Sequence, residues 1–223
     1  SFLQTLSIKN VHKSFGKKTV LNNVTLSVSK GEILALYGRN GCGKSTLLKI
    51  LFGTLKANNI ELLVNGTATT PKASRLNKSI AYIPQHPFLP SSQKVRDIIP
   101  MYHQNQELQD AVFYDPYIAS FTARKVSELS LGQRRYFEVV LLANSSHPFL
   151  LIDEPFSMIE PLHKERLKGF LNSIKRTKGI IITDHYYNDV LEVSTQNIIL
   201  KDGLINTITT KEDLLKYDYL KSV

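Results

Sequence analysis

Nine consecutive residues, Gly38-Arg39-Asn40-Gly41-Cys42-Gly43-Lys44-Ser45-Thr46, constrain this chain more than any other feature. Their spacing is that of a phosphate-binding loop, G-x-x-x-x-G-K-[ST]. The glycines let backbone N–H groups turn inward and cradle phosphate oxygens. Lys44 adds a point charge for the outer phosphates, and the Ser45 hydroxyl is a ligand for Mg²⁺. A helix starting there aims its positive end at the same phosphates. The flanks meet the structural condition for such a loop. Residues 33–37 read as an apolar strand, and residues 45–52 read as a helix ended by Gly53.

The rest of the chain agrees with an α/β class. Short apolar runs alternate with longer helical ones, the pattern of a mostly parallel sheet covered by helices. Residues 6–15 and 20–28 differ, since their apolar and polar residues alternate about Gly16-Lys17-Lys18, which predicts antiparallel pairing. Leu62-Leu63-Val64 before Asn65-Gly66 predicts a strand and tight turn. Residues 80–83 form another strand, stopped by Pro84. From Gln85 to Ser127 the β-branched runs disappear, prolines punctuate at 87, 90, 100 and 116, and polar helical segments take over. That stretch reads as a subdomain inserted into the core. The core resumes with strands at 149–152 and 179–183, helices at 162–177 and 187–194, a hairpin about Asp202-Gly203, and a closing helix at 211–220.

Composition excludes several other classes. The chain has 223 residues, 42% hydrophobic and 21% charged, so it is neither disordered nor collagen-like. One cysteine cannot close an internal disulfide. No apolar run approaches the roughly 18 residues of a membrane span. Ser1-Phe2-Leu3-Gln4 lacks the charged and apolar regions of a secretory signal, so a cytoplasmic location is expected. The net charge of +9 reads either as a surface for anionic lipid or nucleic acid, or as a solubility charge. The lysines are scattered and not blocked, so charge alone assigns no partner and no nucleic acid is expected.

A second motif follows the loop. Phe149-Leu150-Leu151-Ile152-Asp153-Glu154 is a buried strand ending in two acids. Acids at the carboxyl end of a parallel strand sit where such sheets place ligands. Asp153 is the candidate Mg²⁺ carboxylate. Glu154 is the candidate base that polarises water for in-line attack on a γ-phosphate.

With these motifs in order, the chain resembles the ATP-binding-cassette (ABC) ATPases, the nucleotide-binding subunits of ABC transporters. Leu129-Ser130-Leu131-Gly132-Gln133 resembles the family signature, Leu-Ser-Gly-Gly-Gln. Gln85 matches the Q-loop glutamine, His185 the switch histidine, and Phe15-Gly16 the aromatic loop that stacks on adenine. Ser157-Met158-Ile159-Glu160 occupies the D-loop position. Taken singly, each of these is commonplace: a glutamine after a strand is polar surface, and a phenylalanine is more often core. Their joint order is specific, and the resemblance covers nearly the whole chain. Thr183-Asp184-His185 and Asp153-Glu154-Pro155-Phe156 look like the lipopolysaccharide-export and branched-chain amino-acid uptake cassettes.

The resemblance implies a P-loop NTPase core of RecA-like type with an N-terminal antiparallel β subdomain and an inserted α-helical subdomain. All lie in one domain, 1–223, with 1–86 and 143–223 as core and 87–142 as the helical part. It implies ATP and Mg²⁺, the latter at Ser45, Gln85 and Asp153. It implies a head-to-tail dimer, homo- or heteromeric, in which Ser130, Gly132 and Gln133 cap the ATP held by the other subunit. Glu154, His185 and Gln85 would carry catalysis. A separate transmembrane permease would be the partner, with the chain peripheral on the cytoplasmic face. A soluble cassette of the iron–sulfur assembly type shares every motif and is the alternative. A P-loop small-molecule kinase explains Lys44 and Asp153 but not residues 129–133 or His185.

Two positions depart from the family pattern. Leu131 stands where glycine is usual, which would cost stability or slow closure if the backbone there needs positive φ or close approach. Glu160 replaces the D-loop aspartate. Cys42, inside the phosphate loop beside Lys44 and a helix N-terminus, is a candidate reactive thiol.

Overall fold

The computed structural model describes residues 4–217. In chain order the strands and helices are β1 (Thr5–Phe15), β2 (Lys18–Ser29), β3 (Ile33–Tyr37), α1 (Lys44–Phe52), β4 (Asn59–Val64), β5 (Thr67–Thr69), α2 (Pro71–Leu76) and β6 (Ile80–Ile83). Then come α3 (Val95–Tyr102), α4 (Gln106–Phe113), α5 (Leu131–Ala143), β7 (Phe149–Asp153) and α6 (Pro161–Ile174). The chain continues through β8 (Gly179–Thr183), α7 (Tyr187–Leu191), β9 (Gln196–Lys201), β10 (Leu204–Thr207) and α8 (Lys211–Lys216). Two short 3-10 turns, Ile118–Phe121 and Val126–Glu128, lie between α4 and α5.

Two sheets result. One is antiparallel, in the order β2-β1-β4-β5. The other runs β10-β9-β3-β8-β7-β6 and is parallel except for the edge hairpin of β9 and β10. Every residue of β3, β7 and β8 is buried, as befits interior parallel strands covered on both faces. Because strand side chains alternate, β3 feeds two cores. Leu34 and Leu36 join α1 and the antiparallel sheet on one face. Ile33, Ala35 and Tyr37 join α5, α6 and the helical stretch on the other. The expected α/β core, antiparallel β part and helical insertion are therefore all present.

Differences from the expectation are local. α6 begins at Pro161, where a proline at the first helical position has no amide to waste, and it ends three residues early. α7 stops at Leu191 and not 194, because Thr195 is drawn to β3: its amide donates to the Ile33 carbonyl and its hydroxyl accepts from the Ile33 amide. Pro100 does not separate segments but lies inside α3, in its last turn. β5 and α2 go beyond the sequence reading, although Thr70-Pro71 is a legible start signal: the Thr70 hydroxyl accepts from the Ala73 amide. The closing helix covers Lys211–Lys216, and residues 218–220 of the expected span lie outside the described residues.

Candidate nucleotide site

The carboxyl ends of β3, β7 and β8 lie side by side, and each delivers one part of the site. β3 runs into the phosphate loop. Gly43 caps α1 at φ 113°, a conformation only glycine adopts readily, and a Cβ there would sit 2.7 Å from Val20. The buried Lys44 ammonium donates within the loop to the carbonyls of Gly38 and Arg39. A cavity of about 660 Å³ opens beside this loop. Its lining brings together Phe15, Asn40, Gly41, Gly43, Lys44, Ser45, Thr46, Gln85, Glu154 and His185. Gly38 and Cys42 instead line a neighbouring cavity of about 460 Å³.

β7 delivers the acids. Asp153 is 2% exposed, and three side-chain hydroxyls donate to its carboxylate. The Ser45 hydroxyl donates to Oδ2 at 2.9 Å, Tyr82 to the same oxygen at 3.1 Å, and Thr183 to Oδ1 at 2.6 Å. Burial and the nearby Asp153 charge push the Tyr82 phenol up, so it stays a donor. Glu154 takes a left-handed backbone, φ 51°, with its amide bonded to the Thr183 carbonyl at 2.9 Å. A non-glycine residue there costs about 1–3 kcal/mol, and such strain concentrates at functional sites.

β8 leads into Asp184 and the switch candidate, His185. Asp184 is fully buried, and burial raises its pKa against the opposing pull of its amide partners. Its Oδ1 accepts from the amides of His185 and Tyr186, and its Oδ2 accepts from the Phe156 amide. One carboxylate thus ties the segment after β7 to the segment after β8. His185 Nδ1 lies 3.5 Å from Glu154 Oε1.

Ser130, Gly132 and Gln133 do not line the cavity. They form the start of α5, where Ser130 Oγ accepts from the Gln133 amide and Gln133 Oε1 accepts from the Ser130 amide. Ser130 and Leu131 are exposed, so the capped helix start presents its partly positive end at the surface. Gly132 is buried against His163 of α6: a Cβ would fall 2.3 Å from the imidazole. Leu131, by contrast, is half exposed as the first residue of α5 and has no positive φ. The structure therefore locates the stringent glycine at 132, and the leucine at 131 meets no steric obstacle in the folded chain. Gly132→Ala is expected to destabilise the fold by about 1–3 kcal/mol through overpacking. Thermal unfolding is the check, and a variant with wild-type stability would remove His163 as the obstacle.

A family model described as ABC transporter matches residues 21–157. The chain belongs to the ABC transporter family. Among its relatives is the lipopolysaccharide export system ATP-binding protein LptB of Haemophilus influenzae, 26% identical over 99% of this chain and 97% of that protein. The galactose/methyl galactoside import ATP-binding protein MglA of Clostridium perfringens is 29% identical over 89% of this chain and 41% of that longer protein. The fold matches a nucleotide-free ATP-binding cassette from an ABC transporter, with TM-score 0.82, 22% identity, and coverage of 96% of this chain and 94% of that one. It also matches an ATP-bound bacterial Atm1-family ABC exporter, with TM-score 0.81, 19% identity, and coverage of 97% and 40%.

As an ATP-binding cassette ATPase, the chain uses residues its motifs do not announce. Arg135 of α5 is buried, which lowers its pKa, and the carboxylates of Glu138, Asp153 and Asp184 oppose that. It donates to the Pro84 carbonyl at 2.7 Å and the Asp153 carbonyl at 2.6 Å, and so joins the signature helix to the Gln85 loop and the acidic strand. Thr183 and Tyr82 orient Asp153. Of these, only Thr183, two residues before the candidate switch histidine His185, carries a local signal in the sequence. In the D-loop segment, Glu160 stands at the N-cap of α6 without a side-chain cap bond; aspartate is the better cap there.

Cys42 is partly exposed, with Sγ 3.8 Å from Lys44 Nζ. A thiol alkylator is expected to inactivate ATP hydrolysis, and ATP to protect. Equal inactivation of Cys42→Ser by the reagent would sink this expectation.

Proposed function

We propose that this cassette powers a transporter whose membrane-spanning part is a separate polypeptide, and that it acts as a head-to-tail pair with a second cassette. The observation that carries the reading is the division of the motifs. Gly43, Lys44 and Ser45 of the phosphate loop share one cavity with Gln85, Glu154 and His185, while the capped N-terminus of α5 does not line it. A second copy supplies what each cavity lacks: a Ser130 hydroxyl, backbone N–H groups and a helix N-terminus for the γ-phosphate.

Within that pair, Lys44 and the loop amides bind the phosphates and Phe15 stacks on the base. Phe15 is half exposed, and the Lys13 ammonium lies 4.8 Å from its ring centroid. Mg²⁺ fits the donor set, because a hydroxyl and a carboxylate oxygen stand 2.9 Å apart at Ser45 and Asp153, both hard ligands. Gln85 is the third candidate ligand. The ion would neutralise charge developing between the β- and γ-phosphates. Glu154 accepts the proton of the attacking water, and His185 bridges to the γ-phosphate. ATP-driven closure does the work on the partner, and hydrolysis resets it.

The helical stretch 87–142 is the proposed docking part for the permease, and the location is the cytoplasmic membrane face. No helix among the described residues is long and apolar enough to cross a membrane. The relatives named above favour this reading over the soluble iron–sulfur assembly type.

The test is co-purification. The chain is tagged at native expression, membranes are solubilised in detergent, and bound proteins are identified by mass spectrometry. A near-stoichiometric polytopic membrane protein supports the reading. Exclusively soluble partners, with the chain absent from membranes, return it to the assembly type.

A further inference from the structure

The switch imidazole is poorly held by hydrogen bonds. Its Nδ1 is buried and without a hydrogen-bond partner, and the Glu154 carboxylate at 3.5 Å lies beyond the usual N–H···O range. The backbone amide is fixed by Asp184, but that bond leaves ring rotation free. Packing must set the ring. The neighbour that does so is Tyr186, which lines the same cavity and places its ring centroid 4.4 Å from the imidazole at 34°.

Tyr186 is itself clamped. Its amide donates to Asp184 Oδ1 at 3.0 Å. The ammonium of Lys164, in the first turns of α6, lies 4.1 Å from its ring centroid and 3.1 Å from Asp189 Oδ2. A second lysine of the same helix, Lys168, pairs with Asp189 at 2.9 Å, Glu192 at 3.0 Å and Glu165 at 2.8 Å. Carboxylates from α7 and the residue after it thus dock on two lysines of α6, and one of those lysines also rests on the tyrosine.

We propose that Tyr186, clamped by Lys164, is a positioning residue that holds the His185 imidazole in its working orientation. The inference rests on the proposed role of His185 at the γ-phosphate. It gives α6 a second role, because the helix that follows the D-loop segment also sets the switch through a cation–aromatic–imidazole stack.

The test is steady-state ATP hydrolysis by the full chain, with KM and kcat separated. Tyr186→Ala is expected to lower kcat about five- to tenfold, the loss of one aromatic stacking contact, with KM for ATP little changed. Tyr186→Phe keeps the ring and should retain the activity. Lys164→Met should lower kcat about two- to fivefold. Lys168→Met cuts the same ion-pair network without touching the tyrosine, so it should lower thermal stability and spare kcat. In a His185→Ala background, Tyr186→Ala should have no further effect on turnover.

A Tyr186→Ala variant that loses stability but keeps kcat would overturn the proposal. So would a rise in KM at unchanged kcat, which would mean that the ring touches nucleotide and not the histidine. An additive loss in the His185→Ala background would overturn it as well. If His185→Ala alone leaves turnover intact, the role of the switch histidine fails first and this inference falls with it.

Discussion

Glu154→Gln is expected to lower ATP turnover by about 10²–10⁴-fold, the usual contribution of a positioned general base. The side chain is almost wholly buried, and its left-handed backbone, held by the Thr183 carbonyl, turns it toward the cavity that also contains Lys44 and His185. Glutamine has nearly the same shape, so the cavity persists. It cannot accept a proton from water, so bound ATP persists too. With hydrolysis stopped and ATP retained, the paired state should accumulate. Gel filtration at saturating Mg-ATP is the measurement: a dimer is the expected species, and a strictly monomeric variant would count against the head-to-tail pair.

Lys44→Ala should act one step earlier. The ammonium is the charge of the phosphate loop, and it is buried with two loop carbonyls as acceptors. Removing it takes a charged donor from both carbonyls, although that of Arg39 still accepts from the Cys42 amide, and leaves the phosphates without their counter-charge. A hydrogen bond to a charged group contributes about 1.5–3 kcal/mol, so ATP affinity should fall roughly 10- to 150-fold, with hydrolysis abolished. Fluorescent-nucleotide binding and phosphate release measure the two effects. Retained turnover would refute the phosphate-loop assignment. The two variants are complementary, since one binds and stalls while the other binds weakly and does not turn over.

The legible part of the site has a common physical origin. Phosphate cradling needs glycines, a lysine and a hydroxyl within one loop, so residues 38–46 carry the whole requirement locally. The acidic strand end and the switch histidine each follow an apolar run, and β7 and β8 are short, buried and easy to read. The signature is also local, because Ser130 and Gln133 satisfy each other three residues apart.

What was illegible is what acts across the chain. Arg135 reaches back to Pro84 and forward to Asp153, and Tyr82 reaches Asp153 from the neighbouring strand. In the sequence, Gly132 is the less notable of two signature positions; in the fold, His163 fills the space beside it. Leu131 reads as the defect, yet it faces outward.

The sequence by itself therefore determined the α/β class, the phosphate loop, the paired acids and the family, because each depends on residues close together in the chain. Tertiary structure alone decided which side chains orient Asp153, why glycine is required at 132 and not at 131, and how α6 reaches the switch histidine. Those outcomes depend on burial and on contacts between distant segments, and only the packed sheet with its helices brings such segments within reach.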